Sequence, residues 1–369
     1  YQYNVQTCKL TVERYIMSFE DRFVAAMAGP SISMKQKYTL ENIPKDEATI
    51  NRELFETLCE AVEIRTRQMD EACKVGFMLS GGFDSSLVLS LALACGIKRP
   101  VQAYTFGFEK DADDVKSARI MVDWVKAKYG PDAIDWHLVH RPVSDGLNAL
   151  SQVIKSIETY DTTTVRASTP MYLLSQAMHQ DGIRVILSGE GADELFGGYL
   201  YFKCAPNHKE YISEIGFLLD HLFEADCLRA DRATAAWSTE VRFPFLDEVL
   251  ADRVIKANII QNDLQNTKMT LRKLVPEGFL PPSIHWGKKE AFSDAVGHSW
   301  KDSILAFAES ELKKYPGDLP AQLNDKTKPR TKEEEFYQKV FVSTFGDRRT
   351  ILSRYWMPNW IEAQDPSAR

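Results

Sequence analysis

Glycines, serines and one acid follow a short apolar run near residue 80. The run Val75–Leu79 leads into Ser80, Gly81, Gly82, Phe83, Asp84, Ser85 and Ser86, and a second apolar stretch then begins. This order predicts a buried strand, a tight turn and the first turn of a helix. Backbone N–H groups at a helix N-terminus bind anions, and glycines let a phosphate approach the backbone closely. We therefore predict a phosphate-binding turn at residues 80–86.

The predicted turn lacks the lysine of a Walker-type loop, and no G-x-x-x-x-G-K-[ST] sequence occurs anywhere in the chain. This absence argues against a P-loop ATPase. The turn instead resembles the pyrophosphate loop, S-G-G-x-D-S, of enzymes that split ATP into AMP and pyrophosphate. The alternative is an ordinary strand-to-helix turn built from small residues.

A second group of glycines and acids follows the apolar run Ile183–Leu187. It has the sequence S-G-E-G-A-D-E-L-F-G-G-Y over residues 188–199 and contains three acids. Carboxylates at this density in a cleft need a cation or a proton. Because Mg²⁺ prefers one or two carboxylates together with phosphate oxygens, we predict that Asp84 and Asp193 share a magnesium ion with the nucleotide. A polar turn that caps a helix is the alternative.

Composition indicates a globular protein with room for two domains. The chain has 369 residues, of which 44% are hydrophobic and 26% are charged. Its net charge of −7 disfavours nucleic acid as the main partner. No apolar stretch is long enough to span a bilayer, and the first residues do not read as a charged-then-apolar leader, so we expect no secretory signal. The six cysteines form no C-x-x-C pair, so we expect a reduced, cytoplasmic protein without disulfides.

Alternating strand and helix patterns predict an α/β fold. Strands are predicted at 75–79, 101–107, 134–139 and 183–187, and helices at 51–70, 84–95, 113–128 and 144–157. Helical connections of this length predict a doubly wound parallel sheet with helices on both faces, followed by a mainly helical C-terminal part from residue 207 to about 314. Ligands of such sheets bind beyond the carboxyl ends of the strands, where both glycine-rich motifs lie.

Six sequence blocks resemble the synthetase domain of the asparagine synthetase B family, in the order of that family. They are S-G-G-F-D-S-S, R-A-S-T-P-M-Y, S-G-E-G-A-D-E-L-F-G-G-Y, E-V-R-F-P-F-L-D, K-K-E-A-F-S-D and W-M-P-N-W-I-E-A-Q-D-P-S-A-R. β-Lactam synthetases share the first two of these blocks but are not expected to share the last two. The resemblance implies ATP and Mg²⁺ as cofactors. It also implies conversion of aspartate and ammonia to asparagine through β-aspartyl-AMP, with AMP and pyrophosphate as products.

The resemblance assigns catalytic roles to individual residues. Lys289, rather than its neighbour Lys288, would stabilise charge on the phosphates. Thr163 and Arg166 would hold the substrate and the intermediate, since a guanidinium binds two oxygens at once. Glu190 would lie near the acyl-adenylate and accept a proton from ammonium.

The resemblance also assigns binding roles. ATP and pyrophosphate would contact Leu79, Ser80, Gly81, Gly82, Asp84, Ser85, Ser86, Phe106, Ser188 and Gly189. Leu79 and Phe106, at the ends of the first two strands, would flank the adenine. Glu190, Asp193 and Asp247 would contact the acid substrate.

The N-terminal part of the chain departs from the family. A glutaminase domain with a catalytic cysteine at its first position precedes the family's synthetase domain, whereas this chain begins with Tyr1 and its Cys8 is not terminal. Residues 1–50 are too few for a glutaminase fold, so we expect an arm and linker there and an ATP-pyrophosphatase domain at 51–369. Ammonia would then be free or come from a separate or upstream glutaminase.

Three questions stay open at this stage. Ala295 stands where the family has glycine, and the stretch Cys73–Gly76 lacks the family's acid-and-proline sequence, so a related amide synthetase with another acid or amine is one alternative. A non-catalytic nucleotide-binding subunit is the other. The sequence is compatible with a homo-oligomer but does not predict one.

Overall fold

The computed structural model describes residues 46–67, 73–257, 267–287, 299–320, 328–352 and 355–363. Its centre is a five-stranded sheet in which every neighbouring pair is parallel. The strands are β1 (Lys74–Met78), β2 (Val101–Gly107), β3 (Ile134–His140), β4 (Ile183–Leu187) and β5 (Glu240–Arg242). The predicted α/β class and the parallel sheet are confirmed.

Helices surround this sheet and make up most of the C-terminal part. They are α1 (Glu47–Arg67), α2 (Phe83–Ala94), α3 (Asp113–Tyr129), α4 (Val143–Ile157), α5 (Thr162–Gln180), α6 (Ala192–Phe196), α7 (His208–His221), α8 (Asp226–Ala235), α9 (Glu248–Ala257), α10 (Met269–Leu274), α11 (Pro282–His285), α12 (Ser299–Glu311) and α13 (Lys332–Phe345). Short 3₁₀ turns lie at Leu200–Cys204, Leu222–Glu224, Pro244–Leu246, Leu312–Lys314 and Arg349–Ile351. No helix in these described parts of the chain is both long and apolar enough to cross a lipid bilayer.

The strand order, β3-β2-β1-β4-β5, places a switch point between β1 and β4. β2 and β3 follow β1 on one side of the sheet, whereas β4 pairs with β1 on the other side. Phe77 pairs with Leu187 across this boundary. The turns that follow β1 and β4 therefore leave the sheet side by side, at the place where open α/β sheets bind ligands.

Apolar side chains on both faces of the sheet pack against helices. Phe77, Ala103 and Val185 belong to one buried cluster, which includes residues of α2 and α3. Tyr104, Phe106 and Ile186 belong to a second cluster, with residues of α4, α5, α12 and α13. Because side chains alternate between the faces of a strand, this division confirms that helices cover both faces.

Two elements were not predicted from the sequence. Helix α5 fills residues 162–180, to which the sequence analysis assigned no element, and it contains Pro170. Strand β5 has three residues and lies within the region predicted to be mainly helical. Its hydrogen bonds to β4 extend the sheet beside the second glycine-rich motif, within a C-terminal part that is otherwise mainly helical, as predicted.

Candidate functional site

A cavity of about 850 Å³ opens beyond the carboxyl ends of β1, β2 and β4. Most of the predicted site residues line it, namely Leu79, Ser80, Gly81, Gly82, Asp84, Ser85, Phe106, Thr163, Ser188, Gly189, Glu190 and Asp193. Ser86, Arg166 and Asp247 lie outside its lining. Lys288 and Lys289 lie outside the described residues.

The two glycine-rich motifs touch each other directly. A Cβ atom at Gly189 would lie 2.8 Å from the Cβ of Asp84 and 2.9 Å from the backbone nitrogen of Ser85. Real Cβ atoms do not approach other heavy atoms this closely, so only glycine allows the second motif to rest on the first turn of α2. The contact brings the acids of both motifs to one side of the cavity.

Serine hydroxyls join the two ends of the first motif. The Oγ atoms of Ser80 and Ser85 lie 3.0 Å apart, and the backbone N–H of Gly82 donates to Ser80 Oγ at 3.2 Å. Ser86 points elsewhere: it is fully buried, and its Oγ has no hydrogen-bond partner among the residues described. The motif thus presents Ser80 and Ser85, but not Ser86, to the cavity.

Lys268 lies between the two predicted metal ligands. Its Nζ pairs with Asp84 Oδ2 and lies 2.8 Å from Asp193 Oδ1, while its side chain is only 3% exposed. The lysine can reach this position because Gly198 has no side chain; a Cβ there would collide with Lys268 Cε and Asp193 Oδ1. Lys268 was not predicted, because it lies outside the six blocks.

The acid pair fits a magnesium ion that also binds phosphate. Asp84 and Asp193 converge on one cation, and Asp84 Oδ1 is buried without a hydrogen-bond partner in the described part of the chain. Within those same residues, no group of three or more His, Cys, Asp or Glu could hold a metal by itself. Two carboxylates completed by phosphate oxygens or water are nevertheless a usual magnesium environment.

Arg272 supports the chain around Lys268. Its guanidinium donates to the carbonyl of Thr267 at 2.9 Å and to that of Gly287 at 3.0 Å, and it lies 4.9 Å from the centre of the Phe83 ring. Burial lowers the pKa of Arg272, an effect that the nearby carboxylates Asp84 and Asp193 oppose. One buried arginine thus ties the residue before Lys268 to the start of α2.

Glu190 forms an ion pair with Arg229 of α8. Arg229 Nη2 lies 2.9 Å from Glu190 Oε1 and 2.8 Å from Asp226 Oδ1. Burial alone would lower the pKa of Arg229. The negative charges of Glu190 and Asp226 raise this pKa by more than burial lowers it, so the net shift is upward. The charge of Glu190 is therefore balanced inside the cavity. Arg229 and Asp226, which lie between the third and fourth blocks, were not predicted.

Glu194 is the most deeply buried acid of the second motif. Its side chain accepts a hydrogen bond from the Tyr199 hydroxyl at Oε1, whereas Oε2 is buried and has no hydrogen-bond partner among the described residues. Burial, followed by the negative charges of Asp226 and Asp193, raises the pKa of Glu194 to about 8. Glu194, Tyr199 and Asp226 all line the cavity.

Thr163 and Arg166 lie one turn apart on α5 but have different surroundings. Thr163 lines the cavity and donates to Asp161, which also caps the helix by accepting from the backbone N–H of Thr164 at 2.8 Å. Arg166 is buried away from the cavity, where it forms two hydrogen bonds to Glu333, of 2.7 and 2.5 Å.

Asp247, like Arg166, does not line the cavity. It pairs with Arg65 of α1 at 2.9 Å and accepts the backbone N–H of Val249 at 3.0 Å, at the start of α9. Its described contacts link α1 to α9.

Comparisons with known proteins agree with the resemblance found in the sequence blocks. The chain matches the family model for asparagine synthase over residues 53–221 and 205–357. It is 34% identical over 362 residues to a probable glutamine-hydrolysing asparagine synthetase of Dictyostelium discoideum, covering 91% of this chain and 63% of that protein. It is 37% identical over 323 residues to a glutamine-hydrolysing asparagine synthetase of Zea mays, covering 80% and 54%. It is also 37% identical over 350 residues to the corresponding protein of Gallus gallus, covering 90% and 59%. The chain therefore spans less than two thirds of the length of these relatives.

Proposed function

Because the chain belongs to the asparagine synthase family, we propose that it is an ATP-dependent ligase that converts aspartate to asparagine. The side-chain carboxylate of aspartate attacks the α-phosphate of ATP, pyrophosphate leaves, and β-aspartyl-AMP forms. Ammonia then attacks the acyl carbon and AMP leaves. The observation that carries this proposal is the contact of the two glycine-rich motifs at the switch point, where Asp84 and Asp193 face one cation position.

In this proposal the nucleotide lies along the ends of β1 and β2. Leu79 and Phe106 supply apolar walls for the adenine, and both line the cavity. The hydroxyls of Ser80 and Ser85 donate to the departing pyrophosphate. The Lys268 ammonium stabilises the negative charge that grows there, which is the main demand of phosphoryl chemistry.

Asp84 and Asp193 are proposed to hold Mg²⁺. Bound there, the ion would neutralise charge on the pyrophosphate. The buried Asp84 Oδ1 supports this proposal, because a buried carboxylate oxygen without a partner is unfavourable.

The acid substrate is proposed to bind at the α5 and α8 side of the cavity. Thr163 would contact it there, and Glu190, oriented by Arg229, would face the acyl-adenylate and accept a proton from the incoming nitrogen. Lys289, Arg166 and Asp247 stay predictions from the resemblance. Nitrogen would come from free ammonia or from a glutaminase, in keeping with the glutamine-hydrolysing relatives.

Product analysis tests this function. The protein is incubated with ATP, Mg²⁺, aspartate and ammonium, and AMP, pyrophosphate and asparagine are expected in equal amounts. Formation of ADP would contradict the proposal, as would failure to release pyrophosphate. Pyrophosphate release measured with a panel of other acids separates aspartate from the alternative substrates.

A further inference from the structure

The acids in one wall of the cavity differ in the cations that balance them. Glu190 and Asp226 share the Arg229 guanidinium, at 2.9 and 2.8 Å. Asp193 contacts the Lys268 ammonium at 2.8 Å. Glu194 has no ion pair among the residues described, although Asp193 and Asp226 are close enough to act on it electrostatically. This wall therefore holds a carboxyl group that has no cationic partner among the described residues.

The hydrogen bonding of Glu194 is also incomplete. Its side chain is 98% buried, since the exposed fraction is 2%. Tyr199 donates to Oε1, and no described residue donates to Oε2. A buried carboxyl group in these surroundings keeps its proton unless a cation binds, and its ionised form is favoured by a small ligand that carries positive charge and N–H donors.

We propose that Glu194 and Asp226 form a binding site for the ammonium ion that supplies the amide nitrogen. This inference rests on the proposed function, in which ammonia is the second substrate. Ammonium is about the size of water, carries one positive charge and has four N–H donors. It can donate to Glu194 Oε2 and to Asp226, whose side chain is 32% exposed and which bonds Arg229 through Oδ1.

The proposed site is next to the acid that the acyl-adenylate would face. Glu190 acts electrostatically on Glu194, and both line the same cavity. Ammonium held there lies beside the acyl group before it reacts.

Hydroxylamine provides the test, because it is mainly neutral at neutral pH whereas ammonia is mainly ammonium. Both can act as the nitrogen nucleophile, but only ammonium gains from a carboxylate site. In Glu194→Gln we expect kcat/KM for ammonium to fall at least about tenfold relative to kcat/KM for hydroxylamine, as loss of a charged hydrogen bond implies. KM for aspartate should stay close to that of the unaltered protein.

Glu214→Gln is the matched control. Glu214 is also buried and also accepts from a tyrosine, Tyr201, at 2.7 Å, but its second oxygen accepts from Asn359 at 2.5 Å and it does not line the cavity. Its substitution should leave the ratio of the two kcat/KM values unchanged.

Three results would overturn the inference: an unchanged ratio in Glu194→Gln, an equal fall in Glu214→Gln, or a rise in the KM for aspartate in place of the fall in the ratio. If Glu194→Gln does not fold, Glu194→Asp, which withdraws the carboxylate by one methylene, should still lower the ratio, and an unchanged ratio there would contradict the site. Failure of the unaltered protein to release pyrophosphate with either nitrogen source would instead overturn the proposed function.

Discussion

Two buried cations show how differently this molecule uses ion pairs. Arg166 pairs with Glu333 through two hydrogen bonds, and the Tyr337 hydroxyl donates to the same carboxylate at 2.9 Å. Both side chains of the Arg166 pair are almost fully buried, at 6% and 0% exposed. Lys268 instead lies between two acids that line the cavity.

The difference lies in what each arrangement leaves for a ligand. Arg166 and Glu333 meet in the two-bond geometry that suits a guanidinium and a carboxylate, and neither residue lines the cavity. The Lys268 set has two carboxylates for one ammonium, and Asp84 Oδ1 has no hydrogen-bond partner among the described residues. We infer that the first pair holds α5 to α13, whereas the second set is built to accept a further cation together with phosphate.

Arg166→Met would test the first half of this comparison and should have the largest effect. Breaking a buried pair on one side leaves a buried charge without its partner, so the free energy of unfolding should fall by about 3–5 kcal/mol. Denaturant titration measures this loss. Removing both charges, in Arg166→Met with Glu333→Leu, should cost less than the single change because no unpaired charge remains.

A different outcome would indicate that Arg166 acts in the site. If Arg166→Met keeps the unfolding free energy of the unaltered protein and loses pyrophosphate release, the role that the resemblance implies is correct and our interpretation of the Glu333 pair is wrong.

Asp193→Asn tests the second half. The side chain keeps its size and can still accept a hydrogen bond from Lys268, so we expect the fold to persist. Loss of the charge should lower kcat for pyrophosphate release about a hundredfold, in the range found when one electrostatic contact to a developing charge is removed. The variant should also need more Mg²⁺ for half-maximal rate. Near-normal turnover, or an unchanged Mg²⁺ requirement, would count against the metal role.

The strands and the motifs could be predicted because their signals are local. β2 and β4 are apolar runs of strand length, and the structure gives them the predicted limits. Helix α5 was missed because five of its first eight residues are threonine or serine and Pro170 interrupts the pattern. β5 is a strand of three residues, too short to have a periodicity.

The cations of the site could not be predicted because their partners are distant in sequence. Lys268 is separated from Asp84 by 184 positions, and Arg166 from Glu333 by 167. In the sequence, Lys268 and Arg229 are two more charges among the 45 basic residues. Only the packed fold shows that Lys268 and Arg229 line the cavity while Arg166 does not.

The smallest expected effects come from two neighbouring serines, which repeat the same contrast within one motif. Ser85 lines the cavity and lies 3.0 Å from Ser80 Oγ, so Ser85→Ala should remove a donor to the phosphates and raise KM for ATP by up to about tenfold. Ser86 is buried, and its hydroxyl has no hydrogen-bond partner in the described structure. Ser86→Ala should therefore leave KM for ATP unchanged and, by removing an unsatisfied buried hydroxyl, leave the protein equally or slightly more stable. Steady-state kinetics and thermal unfolding of the two variants measure both quantities. If Ser86→Ala raises KM for ATP as much as Ser85→Ala does, both hydroxyls contact the bound nucleotide. The contrast between a cavity-facing serine and a buried serine would then be wrong for this motif.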